Sequence, residues 1–527
     1  MRVLLLCLAA SWTLAGCASK VLPSSAAADA GSINRTDAGA PGPATGPGGE
    51  DGGSAVPDAG PGEPDAGSPG PDAGPAPSDA GTLPDAGPPP PPDAGVVPVD
   101  LGETGWTQML DGSLSWFYRW LPSKGRNSDP EGVFRMEGDL LHILGLPPSD
   151  KEKDFGYLAT WEEFHDYRLR VEQRWGTNTF PPRKGQPRDS GLLYHLRRPD
   201  EVWPQCVEFQ IMEHDTGDLW MLSRTGVTTT VADVHASPPT FDPLGQEVTL
   251  RGGRLVKSED PESLTGWNSL ELIASGRDSA QVVNGRWVNG ARAIEDDGWN
   301  ELRQGRIALQ AEGAEVYYRN MMIRPLVYMP PPPGAVVLFD GWNLDAWESS
   351  GNSAPRWRLV DGAMEVAPGT GDLHSRRWFG DVRLHVEFQV PPSAPGAAEQ
   401  DRGNSGVYIQ GHYEVQVLDS FGATLSGAND CGAIYGVKNA EVNESFPPGI
   451  WQSYDILFHA PRWSGSTKVS PARITVVWNG TKVQQDVEVW GSTTLGDPEI
   501  PGESDGPLLL QDHGHPVRFR NIWVQPL

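Results

Sequence analysis

The sequence predicts an all-β protein in which two large jelly-roll sandwiches follow a disordered N-terminal tether. From residue 101 onwards, short runs that alternate apolar and polar residues are separated by Gly, Pro, Asn and Asp. The 3.6-residue periodicity of a long helix is missing from this region. The C-terminal part also repeats a pattern that occurs earlier in the chain, which indicates two related domains.

The first 17 residues are predicted to be a lipoprotein signal peptide. One Arg precedes an apolar stretch that ends in Leu14-Ala15-Gly16-Cys17. This ending resembles a bacterial lipobox, which implies cleavage before Cys17, lipid attachment to Cys17 and anchoring in the cell envelope. Ala18 in the next position is typical of an outer-membrane destination, on either its periplasmic or its outer side. An ordinary cleaved secretory signal is the alternative.

Residues 18–100 are predicted to form a disordered tether. They are almost all Ala, Pro, Gly, Ser and Asp, and the triplet Asp-Ala-Gly recurs from Asp29 to Asp93. Such a segment buries too little apolar surface to offset the conformational entropy lost on folding. We therefore expect a spacer between the membrane and the folded domains.

Composition excludes several classes of function. The net charge of −28 argues against a nucleic-acid partner, because nucleic acids require a basic surface. Four cysteines exclude a disulfide-rich scaffold, and Cys206 and Cys431 occupy non-matching positions in the two domains. We predict that both are buried free thiols. Metal-ligand spacings are not recognisable, so the sequence predicts no metal site and leaves the cofactor unknown.

The duplication is clearest at the end of each predicted domain. Residues 309–326 and 510–527 share eight of 18 positions at a constant offset. The Pro-rich run at Pro330–Pro333 separates the copies, so we assign domains to residues 101–327 and 335–527, with a linker at 328–334.

One strand in each domain presents a carboxylate beside an amide. In Val207-Glu208-Phe209-Gln210-Ile211 the apolar residues are expected to face the core, so Glu208 and Gln210 point outwards together. The segment Tyr413-Glu414-Val415-Gln416-Val417 repeats this arrangement. Such pairs suit proton transfer or the recognition of hydroxyl groups, although an ordinary solvated strand face has the same pattern.

Further candidates surround these two strands. The triplets that begin with Asp189 and Asn404 continue with Ser190 and Ser405, and their side chains are expected either to line a cleft or to form turns. Arg319 and Arg520, in the last strands, are candidates to clamp an oxyanion, or to pair with a carboxylate of their own domain. Glu312 and His513 are acid–base candidates that occupy the same position, before a Gly, in the two domains. The remaining candidates are His214 and Asp419, which lie downstream of the two strands.

Several motifs of the second domain together resemble the 3-keto-disaccharide hydrolase domain family, formerly a domain of unknown function. The motifs are Leu338-Phe339-Asp340-Gly341, Asn404-Ser405-Gly406, Tyr413-Glu414-Val415-Gln416, Gly432-Ala433-Ile434-Tyr435 and Leu510-Gln511-Asp512-His513-Gly514. Residues 104–326 resemble the family more loosely. The resemblance implies two tandem concanavalin A-like jelly rolls, related to laminarinases and glucanases, that act on a carbohydrate substrate.

The resemblance also implies cleavage of 3-keto-glycosides by removal of the hydrogen at C2, elimination at C1 and hydration. For the second domain we expect Glu414 as the base and Arg520 or His513 as the stabiliser, with Asn404 and Gln416 on sugar hydroxyls. For the first domain we expect Glu208, with Gln210, Arg319 and Glu312. Asp189 and Glu312 replace Asn404 and His513, which leaves open whether the first domain is catalytic.

Three other functions remain open from the sequence. They are a non-catalytic carbohydrate-binding surface lipoprotein, a classical jelly-roll glycoside hydrolase and a structural envelope protein.

Overall fold

The computed structural model describes residues 99–197, 200–494 and 496–527. The predicted signal peptide, its Cys17 and the predicted tether up to residue 98 therefore lie outside the described residues. Among the described residues, regular structure is almost entirely antiparallel β-strand, as predicted, with one short 3-10 helix at Glu399–Asp401.

Within the described part, the first sandwich contains 16 strands. They are β1 Thr107–Gln108, β2 Phe117–Leu121, β3 Gly125–Arg126, β4 Phe134–Glu137, β5 Leu140–Ile143, β6 Gly156–Thr160, β7 Tyr167–Thr179, β8 Asp189–Leu196, β9 Cys206–Met212, β10 Leu219–Val231, β11 Gln246–Leu255, β12 Asn268–Ser275, β13 Asp278–Val283, β14 Arg286–Glu295, β15 Arg306–Ala311 and β16 Ala314–Pro325. Hydrogen bonding connects all of them into one folded sheet, because β10 and β14 join the two layers.

The second sandwich contains 15 strands in its described residues. They are β17 Val336–Phe339, β18 Trp347–Ser349, β19 Arg358–Val360, β20 Ala363–Glu365, β21 Leu373–Phe379, β22 Val382–Gln389, β23 Ser405–Ile409, β24 Tyr413–Val417, β25 Gln452–His459, β26 Arg462–Ser464, β27 Thr467–Ser470, β28 Ala472–Trp478, β29 Thr481–Val489, β30 Gly506–Leu510 and β31 Arg518–Pro526. Its two layers have the orders β18-β21-β30-β23-β24 and β19-β20-β31-β22-β25-β28-β29.

Each sandwich has a front sheet and a back sheet. We call the layer around β6-β15-β8-β9 the front sheet of the first sandwich, and β18-β21-β30-β23-β24 the front sheet of the second. The layers around β12-β7-β16 and β25-β22-β31 are the back sheets. Apolar residues from both layers meet between them and form one core in each sandwich.

The alternation predicted for the strands that carry Glu208 and Glu414 is confirmed. Val207, Phe209 and Ile211 belong to the first core, and the alternate residues of β24, from Tyr413 to Val417, belong to the second. The intervening polar residues therefore lie on the outer faces of the front sheets. Cys206 and Cys431 are buried and unpaired, as predicted.

The two sandwiches pack together through a buried ionic contact, and the described residues belong to one compact unit. Glu444 of the second sandwich accepts hydrogen bonds from Arg168, at 2.5 Å, and from Arg324, at 3.0 Å, both in the first. All three side chains are buried. In the described parts of the chain, helices with the length and apolar character needed to cross a membrane are absent.

Candidate functional site

The outer face of the second front sheet carries a row of polar side chains. Glu414 on β24 lies directly opposite Tyr408 on β23. The row continues through Leu509 on β30 to His374 on β21. Because directly opposed residues lie about 5 Å apart, Glu414 and Tyr408 are immediate neighbours.

A second row runs beside the first and consists mainly of amides. Gln416 on β24 lies opposite Gly406, and the backbone of Gln511 donates a hydrogen bond to the Gly406 carbonyl. A Cβ atom at Gly406 would lie 2.5 Å from the Glu414 carboxylate, so only glycine leaves room for this carboxylate. The Asn-Ser-Gly motif therefore has a steric reason for its third residue.

The environment of Glu414 is suited to a base. Its side chain is 1% exposed, and this burial raises the pKa of Glu414 to about 7, against the opposing effect of a hydrogen bond from Tyr408. Burial and the neighbouring Glu414 raise the pKa of Tyr408, so its phenol stays protonated. Gln511 Nε2 donates to the Tyr408 hydroxyl at 3.1 Å. The row thus pairs a carboxyl poised near neutrality with a neutral O–H donor.

Three oxygen atoms at the site have no donor among the described residues. They belong to Glu414 (Oε2), Gln416 (Oε1) and Gln511 (Oε1), and all three are buried. The amide of Gln416 is oriented by its Nε2, which donates to Gln400 Oε1 at 3.3 Å and to Asn404 Oδ1 at 3.5 Å. Buried acceptors without donors are costly, and the hydroxyl groups of a polyol ligand would supply the missing donors.

The first sandwich repeats the carboxyl and both amides. Glu208, Gln210 and Gln310 occupy the matching positions on β9 and β15, and each has a buried Oε1 without a donor among the described residues. The rest of the row differs, because Glu208 lies opposite Leu193, followed by Ala308 and Ala159. Apolar residues thus replace Tyr408 and His374.

Arg183 fills the first site with a positive charge. Its guanidinium lies 2.7 Å from Asp189 and also contacts Glu312. Burial raises the pKa of Asp189 and of Glu312, with Arg183 opposing the rise. Burial, then Glu312 and Asp189, raises the pKa of Glu208 well above its ordinary value. Its surroundings therefore favour the protonated form of the Glu208 carboxyl.

A loop covers the first front sheet. Asp200, which follows β8, accepts hydrogen bonds from Tyr118 at 2.7 Å and from Tyr157 at 3.0 Å. The ring of Trp203 packs against Phe155 with centroids 6.2 Å apart. In the second sandwich, β23 and β24 are joined by only the three residues 410–412. The second front sheet thus has no equivalent of this loop between β23 and β24, and Thr493 and Tyr435 instead bond to the backbone of Glu414.

The prediction that the serines bind substrate is wrong. Ser190 donates to the backbone carbonyl of Gln310 at 2.8 Å, and Ser405 donates to that of Gln511 at 2.7 Å. Both side chains point into their sandwich, because Asp189, Asn404 and the two glycines occupy the outward positions of these strands. Asp189 and Ser405 are the first residues of β8 and β23, and Asn404 directly precedes β23.

The prediction that Arg319 and Arg520 stabilise the reacting groups is also wrong. Arg319 pairs with Glu172 at 2.6 Å, and its guanidinium lies 4.0 Å from the ring of Trp267. Arg520 pairs with Glu387 at the same distance and stacks equally closely on Trp451. Both groups lie on the outer faces of the back sheets, away from Glu208 and Glu414. Each is a structural clamp between strands.

Three other predicted residues lie around the sites rather than in them. His214 is in an exposed turn after β9, with its Nδ1 3.8 Å from Asp260. Asp419 follows β24, and its carboxylate accepts the backbone N–H of Phe421 at 3.1 Å. His513 is exposed in the loop after β30, two residues beyond Gln511. The role of His513 stays a prediction.

Two cavities lie between the sandwiches rather than on the front sheets. A cleft of about 1210 Å³ runs between the sandwiches, and a smaller one of about 280 Å³ adjoins it. The large cleft contains five arginines, each paired with a carboxylate. Because its arginines are already paired, this cleft is a weaker candidate for an active site than the surroundings of Glu414. Within the described ranges, clusters of three or more His, Cys, Asp or Glu side chains arranged to hold a metal ion are absent.

Sequence reasoning missed Tyr408, Gln511, Gln310, His374 and Arg183. A signal existed for the two glutamines, because both belong to the duplicated Leu-Gln ending. Tyr408 required the register between β23 and β24. Arg183 lies in an irregular loop, and its sequence neighbours gave no sign that it reaches Asp189.

Comparison with known proteins gives a consistent result. The family described as 3-keto-alpha-glucoside-1,2-lyase-like domain matches residues 105–324 and again residues 334–525. A candidate glycosyl hydrolase from Parabacteroides distasonis is 35% identical over 38% of this chain and 94% of its own, with a TM-score of 0.35. The β-glucanase of Bacillus licheniformis is 10% identical over 43% of this chain and 99% of its own, with a TM-score of 0.26. None of the curated proteins matches this sequence significantly.

Proposed function

Because the chain belongs to the 3-keto-alpha-glucoside-1,2-lyase-like family, in two tandem copies, we propose that it cleaves the glycosidic bond of 3-keto-glycosides. The family itself indicates action on carbohydrates. We assign the reaction to the second sandwich and consider the first a non-catalytic copy.

The observation that carries this proposal is the cross-strand pair of Glu414 and Tyr408. Cleavage beside a 3-keto group needs a base for the hydrogen at C2 and an acid for the leaving oxygen. A carboxyl with a pKa of about 7 is largely ionised at slightly alkaline pH and remains basic enough to accept this proton. The neutral phenol of Tyr408 is a suitable acid, because burial keeps it protonated.

We infer the following steps. The Glu414 carboxylate takes the proton from C2, and the electron pair moves towards the C3 carbonyl to form an enolate. The enolate then re-forms the carbonyl, makes the C1–C2 double bond and breaks the bond from C1 to the glycosidic oxygen. The Tyr408 hydroxyl protonates that oxygen, and the proton on Glu414 passes back to the neighbouring Tyr408. Addition of water across C1–C2 completes hydrolysis.

The amides around the pair suit substrate positioning. The free acceptor oxygens of Gln416 and Gln511 can each take a hydrogen bond from a sugar hydroxyl. Gln511 also holds the Tyr408 hydroxyl through its Nε2. Asn404 orients Gln416 and is a positioning residue in this scheme.

The experiment is incubation of the full-length protein with a 3-keto-glucoside in D₂O. We expect aglycone release and deuterium at C2 of the recovered sugar, followed by mass spectrometry and NMR. Tyr408→Phe should lower kcat about 100-fold, because the acid is lost. Tyr413→Phe is the matched control. Tyr413 belongs to the core side of β24, and its hydroxyl donates to Glu499 rather than to Glu414. Cleavage at the wild-type rate by Tyr408→Phe would refute its role.

We also propose that Cys17 carries a lipid anchor that holds the protein at the cell envelope, as the lipobox-like ending indicates. Cys17→Ser should abolish incorporation of labelled fatty acid and release the protein from membrane fractions. Unchanged labelling in this variant would contradict the proposal.

A further inference from the structure

One large aromatic side chain on the second front sheet is exposed. Trp378, near the end of β21, is 56% exposed. Its neighbour Phe379 belongs to the core, so Trp378 points to the outer face of the sheet. It pairs with Pro507 on β30, two residues before Leu509, which adjoins Tyr408. Trp378 therefore shares its face with the row that contains Glu414.

A bulge holds Trp378 in this position. His374 pairs with Leu509, and Trp378 pairs with Pro507. Between these two pairs β21 advances by four residues while β30 advances by two. The Ser375 hydroxyl fixes the bulge, because it donates to the Arg377 carbonyl at 2.7 Å and accepts the Leu508 N–H at 2.9 Å. Bulges of this kind commonly re-aim a side chain beside a functional site.

Packing does not account for the side chain, since more than half of it faces solvent. An exposed indole face is a good surface for the C–H face of a sugar ring, because it is flat, apolar and rigid. From strand spacing and residue rise, Trp378 lies about 12 Å from Tyr408 along the sheet. One sugar ring cannot cover that distance, whereas two linked rings can.

We propose that Trp378 is the stacking platform for the second sugar ring of the substrate, the ring linked to the one that reacts. This inference rests on the proposed function, because it places the reacting ring at Glu414 and Tyr408. Trp378 is accordingly a specificity-determining residue.

The test compares two substrates in the full-length protein. For Trp378→Ala we expect KM for a 3-keto-disaccharide to rise about tenfold with kcat little changed, while the kinetics on methyl 3-keto-glucoside stay the same. Trp378→Tyr should restore most of the affinity. Trp342→Ala is the matched control, because Trp342 is 80% exposed in the turn after β17 of the back sheet. An equal change on both substrates would overturn the proposal.

A binding measurement separates this inference from the proposed function. If the wild-type protein cleaves neither substrate, the proposed function fails, and calorimetric titration with the same 3-keto-disaccharide still tests the platform. We then expect about tenfold weaker binding by Trp378→Ala than by the wild type. Equal affinities, or a wild-type protein that does not bind the disaccharide, would overturn the role of Trp378.

Discussion

In the first sandwich the row that contains Glu208 continues through Leu193 and Ala159, whereas in the second the row that contains Glu414 continues through Tyr408 and His374. Both carboxyls are buried. Burial raises both pKa values, and the neighbouring Glu312 and Asp189 raise that of Glu208 further, whereas Glu414 has a hydroxyl beside it. Burial alone therefore does not make a usable base, which also needs a polar partner.

The largest expected effect is a difference between the two carboxyls. Glu414→Gln should lower kcat/KM on a 3-keto-glycoside by about 1000-fold, because the base is removed. Glu208→Gln should leave kcat/KM unchanged, since Leu193 lies opposite Glu208 where the second sandwich has Tyr408. Steady-state kinetics on both variants measures the comparison. Equal losses would show that both sandwiches are catalytic, and full activity in Glu414→Gln would remove it as the base.

Both variants should change how the stability of the protein depends on pH. Because the folded-state pKa of Glu414 is raised to about 7, its stabilising contribution is complete below the unfolded pKa near 4.5 and is lost as the pH rises to 7. Glu414→Gln should thus gain up to about 3 kcal/mol over the wild type, levelling off above pH 7. Glu208→Gln should also gain stability over the wild type as the pH rises, because burial raises the pKa of Glu208 as well. Denaturant unfolding from pH 4 to pH 9 tests this, and a flat difference for either variant contradicts it.

Arg183 should matter for stability alone. Arg183→Met removes the counter-ion of Asp189 and Glu312, and we expect the free energy of unfolding at pH 7 to fall by about 2 kcal/mol. The loss should shrink below pH 4, where the carboxyls are protonated in both states. Arg286→Met, in an exposed ion pair with Glu259 of the same sandwich, is the control. A change in kcat/KM larger than twofold would mean that the first site takes part in the reaction.

The smallest expected effect concerns the two arginine clamps. Arg319→Met and Arg520→Met should each lower the free energy of unfolding by about 1 kcal/mol or less, because the pairs are partly exposed. Neither change should alter kcat, since both guanidinium groups lie on the back sheets. Thermal unfolding measures the change in stability of both variants, and steady-state kinetics measures their kcat. A selective loss of kcat in Arg520→Met would restore the catalytic role that the sequence suggested.

Much of this architecture follows from alternation and duplication. The pattern around Glu208 and Glu414 was enough to predict two sandwiches and to place both carboxyls on outer faces. The arginines were misplaced because sequence similarity between two copies does not tell which sheet a strand joins. Arg319 and Arg520 occur at the same position in both copies because each has the same structural role. Each donates a hydrogen bond to a glutamate and stacks on a tryptophan.

The features that separate the two sites were not predictable. Leu193 and Tyr408 are equivalent only through strand register, which one sequence does not specify. The cover by Asp200 and the approach of Arg183 depend on irregular loops, whose paths carry no periodic signal.

Glu444 has a practical consequence for anyone who dissects this chain. Cutting the chain at the Pro-rich linker would leave Arg168 and Arg324 without their carboxylate on one half, and Glu444 without its guanidinium groups on the other. All three charges are buried in the intact protein, so each would lose its partner at a newly exposed surface. Isolated halves would then aggregate or unfold for reasons unrelated to sugar chemistry. The activity of each sandwich must accordingly be assigned by single-residue changes in the intact chain. A truncated protein could lose activity simply because the contact between the sandwiches is broken.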